Sequence, residues 1–230
     1  MIFRQLFDHE SSTYTYLLGK RQGGEALLID PVLERTTQYV RLIEELDLKL
    51  VLAVDTHIHA DHVTALGALR EQTGCASAMG AMTRTECVSL HFSEGDKLRV
   101  DGLELEVLYT PGHTDDSYSF LLPDRVFTGD TLLIRGTGRT DFQNGDAAAQ
   151  YDSLFGKLLK LRGETLVYPA HDYNGRTVST IAEERQYNPR LQISDKQAYI
   201  DLMNGLVLDN PRLMDVAVPA NRSCGLRRVA

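Results

Sequence analysis

The sequence lacks two features that would tie it to a membrane or to a nucleic acid. No apolar run approaches the roughly 18 residues that a membrane-spanning helix needs. Acidic residues outnumber basic ones by 32 to 24, so the formal net charge is −8 and no basic excess is available for a polyanion. The composition therefore favours a small-molecule partner over a nucleic acid or an anionic membrane surface.

Cysteine is also scarce. The three residues, Cys75, Cys87 and Cys224, are odd in number and widely spaced, unlike a disulfide framework or a zinc knuckle. We therefore expect reduced thiols in a cytosolic compartment, with Cys75 and Cys87 as small buried side chains.

The first ten residues contain neither the basic nor the apolar region of a secretory signal. We expect a protein that is not exported. The missing arginine-rich amphipathic leader favours a bacterial cytoplasm, or an organellar form from which a leader has been removed. The oligomeric state stays open, with a homodimer among the alternatives.

Apolar runs with β-branched residues alternate with helical periodicities. The runs predict six strands, at 26–29, 50–54, 103–108, 118–122, 125–127 and 166–168. Spacings of three and four residues predict four helices, at 36–46, 63–73, 147–161 and 178–187. Asp146 is the predicted N-cap of the third helix. The alternation predicts one layered α/β domain over 1–230, with a helical and irregular C-terminal extension from about residue 174.

The segment that follows strand 50–54 holds the densest group of potential metal ligands. His57, His59, Asp61 and His62 fall within six residues, between a predicted strand and a predicted helix. Strand alternation would point His57 and His59 the same way, and the turn into the helix would bring in the other two. The segment therefore predicts a metal site.

Three further candidates each follow an apolar strand, which is where α/β folds place their sites. They are His113 in a Pro-Gly-His motif, Asp130 in Gly-Asp, and His171 in Ala-His-Asp. Only His9 and His91 among the seven histidines fall outside these motifs, and we expect structural roles for them. Seven ligands taken alone indicate two zinc ions and hydrolysis.

These motifs, spanning residues 56–171, resemble those of the metallo-β-lactamase superfamily. The resemblance implies an αββα four-layer sandwich with two central sheets. It also implies a dinuclear hydrolytic site as the superfamily's default.

Four stretches narrow the resemblance to the persulfide dioxygenases, also called sulfur dioxygenases: 135–146, 168–173, 183–191 and 218–225. This family implies one Fe(II) per chain, bound by His57, His113 and Asp130. The other four candidates would then hydrogen-bond and orient the iron ligands and bound waters: His59, Asp61, His62 and His171. The implied reaction oxidises glutathione persulfide with O2 and water to sulfite and glutathione.

The resemblance also implies residues that contact glutathione. Arg139, Tyr173 and Arg190 match the family's substrate-binding positions, and guanidinium groups suit carboxylates in a chain of negative net charge. Cys224 matches a cysteine that the family places near the site, with no settled role.

The nearest alternative is a thioesterase of the glyoxalase II type, in which two metals activate a hydroxide. Those hydrolases usually read Gly-Arg/Lys-Phe-Phe-Glu-Gly after the Gly-Asp strand, whereas this chain has Gly-Arg-Thr-Asp-Phe-Gln at 138–143. A metal-binding module without turnover is a second alternative, although no motif position has lost its ligand.

Overall fold

The computed structural model describes residues 1–209 and 213–226, and it divides the chain into two compact units. The first unit comprises residues 1–105 with 213–226, and the second is Glu106–Asp209. The single domain over 1–230 stays a prediction. The parts of the predicted C-terminal extension at 210–212 and 227–230 lie outside the described residues.

A six-stranded sheet in the order β1-β2-β3-β4-β5-β6 forms the frame of the first unit. Its strands are β1 (Ile2–Asp8), β2 (Thr13–Gly19), β3 (Glu25–Ile29), β4 (Lys49–Val54), β5 (Ala76–Gly80) and β6 (Leu90–Phe92). The first three pair antiparallel, and β3 to β6 pair parallel. Ile29 pairs with Val54, so the segments that leave β3 and β4 start side by side at one edge of the sheet.

Three helices belong to this unit: α1 (Thr36–Glu45), α2 (Leu66–Thr73) and α6 (Met214–Asn221). The buried face of α1 presents Tyr39 and Ile43, and α2 presents Leu66 and Leu69. These side chains form one apolar core with the inward residues of the strands and with Cys224. Removing each such side chain from water contributes about 1.5–3 kcal/mol, which holds the helices to the sheet.

The second sheet has the order β12-β11-β10-β9-β8-β7, and the boundary between the two units falls within β8. Its strands are β7 (Lys97–Val100), β8 (Leu103–Tyr109), β9 (Tyr118–Leu122), β10 (Arg125–Gly129), β11 (Leu166–Pro169) and β12 (Ser179–Thr180). The helices of the second unit are α3 (Ala147–Gly156), α4 (Ile181–Tyr187) and α5 (Lys196–Asn204). The pair β10 and β11 is parallel, so both strands end at the same edge.

All six predicted strands are present within one or two residues of the expected bounds, as β3, β4, β8, β9, β10 and β11. Six of the described strands were not predicted: β5, β6, β7, β12, and the antiparallel hairpin of β1 and β2 at the start of the chain. Every residue of β2 is buried, including Thr13, Tyr14 and Thr15. Polar atoms in a fully buried strand remove the alternation on which strand prediction depends.

The predicted helices end or begin in the wrong place at three points. Helix α2 begins at Leu66 and not at 63, because the Val63 carbonyl accepts from the Leu33 amide, and the Gly67 amide donates to the Cys224 carbonyl instead of to Val63. Helix α3 is capped by Asp146 as predicted, but it ends at Gly156.

The last predicted helix begins at Ile181, because Ser179 and Thr180 pair with β11 instead. Thr180 then caps α4 by accepting from the Glu183 amide. In the described part of the chain, none of the helices has the length and apolar character that crossing a bilayer requires.

The expectation of reduced thiols is wrong for two of the three cysteines. Cys87 and Cys224 form a disulfide across a sequence separation of 137 residues, and only Cys75 is a free, buried thiol. Pairing over such a distance leaves no local spacing for sequence analysis to detect. In the chain-entropy description, closing a loop of this length lowers the conformational entropy of the unfolded chain. This raises the free energy of unfolding by about 5 kcal/mol.

Candidate metal centre

The first unit gathers the predicted histidine cluster in the loop between β4 and α2. His57, His59 and His62 are all at most 2% exposed. The ring centroids of His57 and His59 lie 4.1 Å apart, and those of His59 and His62 lie 4.3 Å apart. The prediction that the loop turns these side chains into one volume is confirmed within this unit.

A hydrogen-bond chain through Thr56 fixes the tautomer of His57. The Thr56 hydroxyl donates to Asp30 Oδ2 at 3.1 Å, which leaves its oxygen to accept from His57 Nδ1–H at 2.9 Å. The Thr56 amide also donates to Asp30 Oδ1, so the carboxylate holds both ends of this residue. With Nδ1 as the hydrogen-bond donor, Nε2 is the nitrogen through which His57 could bind a metal.

His59 uses its other ring nitrogen for hydrogen bonding. Its Nε2 lies 3.2 Å from Asp30 Oδ1, and the imidazole is fully buried. Burial alone would lower the pKa of His59, but the charge and hydrogen bond of Asp30, with the charges of Asp55 and Asp61, raise it to about 9. His59 therefore pairs with a buried carboxylate, whose negative charge favours the positively charged imidazolium form of the ring.

Asp61 and His62 contact each other and the hairpin of the first two strands. Asp61 Oδ2 lies 2.9 Å from His62 Nδ1 and accepts from the Thr13 hydroxyl at 3.0 Å. One ligand atom from each of Asp61, His62 and His59 falls within 4.8 Å of the others. These residues form a compact group that has the donors for a metal of its own.

The second unit brings together the other three candidates. His113 Nδ1 lies 2.8 Å from the Arg139 carbonyl, to which its N–H donates, so Nε2 is the nitrogen that could bind a metal here too. That Nε2 lies 3.5 Å from Asp130 Oδ2. Two donors that each sit about 2.1 Å from one metal are separated by about 3–3.5 Å, so His113 and Asp130 fit adjacent positions around an ion.

His171 supports Asp130 from the neighbouring strand. Asp130 follows β10 and His171 follows β11, and Gly129 pairs with Pro169 at the ends of these strands. His171 Nδ1 lies 2.6 Å from Asp130 Oδ1, with the ring buried. The two oxygens of Asp130 therefore face different partners, His171 on one side and His113 on the other.

A close backbone approach at Gly138 fixes His113 and Asp130 relative to each other within the second unit. The Gly138 amide donates to the Asp130 carbonyl at 2.7 Å, and Gln150 Nε2 donates to the Gly138 carbonyl at 3.1 Å. A Cβ at Gly138 would stand 2.2 Å from the Asp130 carbonyl oxygen and 2.8 Å from His113 Nδ1. Only glycine fits between these two residues.

The predicted substrate residues lie in the second unit. Arg139 forms a two-pronged ion pair with Asp141, which raises the pKa of the guanidinium, and it donates to the Leu208 and Asp209 carbonyls. Arg190 donates to the carbonyl and hydroxyl of Thr137, in the same loop. Each guanidinium is therefore anchored on the 137–141 segment.

Tyr173 is 70% exposed and stacks on His171, with ring centroids 6.1 Å apart. An exposed aromatic ring beside a buried histidine is available to a ligand. Its role in binding stays a prediction, as do those of the two arginines.

Cys224 is fully buried in the core of the first unit, and its sulfur is bonded to Cys87. Its main chain lies near the loop between β4 and α2, since the Cys224 carbonyl accepts from the Gly67 amide at the start of α2. The expected location of Cys224 near the site stays a prediction. Its sulfur is part of a disulfide in this structure.

Sequence analysis missed two residues that organise the ligand loop, Asp30 and Asn221. Asp30 follows β3 directly and is 1% exposed. The signal was present, because a carboxylate at a strand end is the feature that singled out Asp130. Asn221 carries no such signal, since it reaches the loop from the far end of the chain. His91, for which a structural role was expected, hydrogen-bonds the Thr85 carbonyl.

Three comparisons bear on the identity of this site. Residues 10–171 match the metallo-beta-lactamase superfamily. The chain is 49% identical over 230 residues to the mitochondrial persulfide dioxygenase ETHE1 of Mus musculus, a match that covers 99% of this chain and 90% of that protein. It also matches the crystal structure of ETHE1 from Myxococcus xanthus with a TM-score of 0.96 and 55% identity, over 98% of this chain and 100% of that one.

A hydrolase relative is more distant. The hydroxyacylglutathione hydrolase of Idiomarina loihiensis is 31% identical over 179 residues, which covers 78% of this chain and 69% of that protein. The similarity to the dioxygenases is higher and extends over more of the sequence.

Proposed function

The chain belongs to the metallo-β-lactamase superfamily and, within it, to the persulfide dioxygenases, and from this premise we propose that it oxidises glutathione persulfide at a single ferrous iron. The predicted metallo-β-lactamase fold and the predicted family are thereby confirmed. His57, His113 and Asp130 are the proposed iron ligands. The observation that carries the proposal is the donor set, two imidazoles that each make a hydrogen bond through Nδ1 and one carboxylate.

This donor set fits ferrous iron. Two histidines and one carboxylate on one face of the ion leave open positions, as in other non-haem iron oxygenases. His57 and His113 both have Nδ1 hydrogen-bonded within their own units, to Thr56 and to the Arg139 carbonyl. In each histidine the hydrogen bond at Nδ1 orients the ring and assigns Nε2 as the nitrogen that would bind a metal.

We propose supporting roles for the remaining candidates, although His59, Asp61 and His62 together have the donors for a second metal. His59 directs Nε2 at Asp30, whereas the proposed ligand His57 uses Nδ1 for its hydrogen bond. His171 holds Asp130 through Nδ1. We propose that His59, Asp61, His62 and His171 orient the ligands and the waters around the iron.

The proposed reaction converts a persulfide, O2 and water into glutathione, sulfite and two protons. Both atoms of O2 and the oxygen of water become the three oxygens of sulfite, while the sulfur–sulfur bond breaks and the thiol keeps one sulfur. When bound, iron supplies the redox step that lets O2 react with the terminal sulfur, a step that zinc does not offer. The chain's own residues hold the ligands and bind the glutathione carboxylates.

Arg139→Ala is expected to raise the KM for glutathione persulfide about tenfold while kcat changes much less. A lost charge-assisted hydrogen bond to a substrate carboxylate is worth about 1.5–3 kcal/mol. Such a carboxylate would compete with Asp141 for the two nitrogens that now hold it. Steady-state oxygen uptake measures both constants.

The matched control is Arg125→Ala, because Arg125 also makes a two-pronged pair with a nearby aspartate, Asp124. It lies on β10 outside the proposed machinery, and its KM should stay within about twofold of the wild type. Equal KM values in the two variants would contradict a binding role for Arg139.

Metal content and activity, measured on the same preparation, test the proposed function. We expect about one iron per chain, oxygen uptake with glutathione persulfide, and no hydrolysis of a glutathione thioester. Two metals per chain with thioester hydrolysis and no oxygen uptake would instead support the glyoxalase II alternative, which the hydroxyacylglutathione hydrolase relative represents more weakly.

We further propose that the protein works in a bacterial cytoplasm or as a processed organellar form. The mitochondrial names of its relatives are compatible with the second of these. A homodimer stays one alternative for its assembly, which the molar mass in solution would test.

A further inference from the structure

We infer that Asn221 is a positioning residue for residues 55–65, which we call the ligand loop. Asn221 fixes the backbone conformation of this loop, which carries His57, His59 and His62. This inference rests on the proposed function in one respect, which is that the loop contributes a proposed metal ligand. Asn221 is the last residue of α6, and its side chain is fully buried.

The three hydrogen bonds of Asn221 are all made to the main chain of this loop. Its Nδ2 donates to the carbonyls of His59 at 2.9 Å and His62 at 2.8 Å. Its Oδ1 accepts from the Thr64 amide at 2.8 Å. One amide thus satisfies three buried backbone groups that lie in neither a helix nor a strand.

The pattern requires an asparagine. Two donors and one acceptor on a short planar group are supplied by asparagine, whereas aspartate has acceptors only and leucine has neither. The two carbonyls belong to residues three apart in the chain, so holding both from one nitrogen fixes the turn between His59 and His62. That turn decides where the side chains on either side of it point.

The C-terminal segment is itself held at several points of the first unit. The Cys224 carbonyl accepts from the Gly67 amide at 2.9 Å, and the Cys224 sulfur is bonded to Cys87. Gly225 lies against Thr64, where a Cβ would stand 2.1 Å from the Thr64 carbonyl oxygen. A rigidly held segment can impose its geometry on the loop, which a mobile one could not.

Replacing Asn221 tests the inference through metal affinity, with cobalt(II) titrated into the metal-free full-length protein. Asn221→Ala and the similarly sized Asn221→Leu are both expected to weaken cobalt binding at least tenfold and to alter the visible absorption spectrum of the bound ion. Asn221→Asp keeps the acceptor for the Thr64 amide but places a carboxylate against two carbonyl oxygens. It should therefore bind cobalt no more tightly than the alanine and leucine variants. In the iron-loaded enzyme, kcat should fall, and the KM for the persulfide should change by a smaller factor.

Leucine separates positioning from simple packing. If Asn221 only filled space, Asn221→Leu would restore wild-type affinity and spectrum, and that result would overturn the inference. The stability control is Ile43→Ala, in the apolar core of the same unit, since its side chain has no hydrogen-bonding group. It should lower the free energy of unfolding while leaving the cobalt spectrum unchanged.

If Asn221→Ala does not fold, Asn221→Ser provides the same test, because the serine hydroxyl retains one hydrogen-bond donor. We expect its cobalt affinity to be at least threefold below that of the wild type. Wild-type affinity in the serine variant would also count against the inference. Cobalt affinity does not depend on persulfide oxidation. If the wild type bound cobalt but did not consume oxygen, the proposed function would fail and the role of Asn221 would stand.

Discussion

His113→Ala is expected to abolish iron binding and oxygen uptake, whereas His59→Ala is expected to retain much of its iron. His113 supplies one of three proposed ligand atoms, and its Nε2 already lies 3.5 Å from Asp130 Oδ2. His59 instead contacts Asp30 through Nε2, and we propose that it acts on the metal through its neighbours. Changing such a neighbour usually lowers metal affinity by about 10–100-fold, less than removing a ligand does.

Iron content after dialysis against a weak chelator measures the difference. We expect less than a tenth of an equivalent in His113→Ala and more than half an equivalent in His59→Ala, on the basis of the contrast between ligand and neighbour. Both residues are buried, so thermal unfolding of the metal-free forms is needed to show that each variant folds. Equal and complete loss of metal in the two variants would argue for a dinuclear centre.

Gly138→Ala is expected to disable the second unit's part of the site with a change of one methyl group. The new Cβ would overlap the Asp130 carbonyl oxygen and the His113 ring, which are 2.2 Å and 2.8 Å from its position. One of these residues must move. Because both are proposed ligands, we expect iron affinity to fall at least tenfold and activity to fall by about a hundredfold, as for a 1 Å misplacement.

Gly136→Ala is the matched control, two positions earlier in the same loop. The nearest atom to a Cβ at Gly136 is Leu133 Cβ at 3.8 Å, which is an ordinary contact. This variant should keep its iron and at least half of its activity. If both alanine variants lost iron to the same extent, the loop and not the close approach at Gly138 would be the sensitive element.

The parts of the site that sequence analysis predicted are those encoded in short stretches. The ligand motifs follow β4, β10 and β11 as expected, because an apolar strand and the polar residues after it are contiguous in sequence. The Asp146 cap is equally local, and its carboxylate accepts from the Ala148 and Ala149 amides as predicted.

The errors arise where distant residues decide the local structure. Helix α2 begins three residues late because the Gly67 amide, which would bond the Val63 carbonyl in a helix from 63, donates to the distant Cys224 carbonyl. The disulfide joins residues separated by 137. Asp30 was missed for a different reason, since its role depends on β3 and β4 being neighbours in the sheet, which the sequence does not state.

The first unit is discontinuous, because residues 213–226 complete a structure that otherwise ends at Leu105. During synthesis on the ribosome, His62 emerges 159 residues before the asparagine that binds its carbonyl. At about 5–20 residues per second, this gap corresponds to roughly 8–30 seconds of translation. Throughout this interval the nascent loop can already bond Asp30, Thr13 and Pro31. The carbonyls of His59 and His62 and the Thr64 amide must wait for Asn221, and a chain truncated before residue 221 would lack these three bonds.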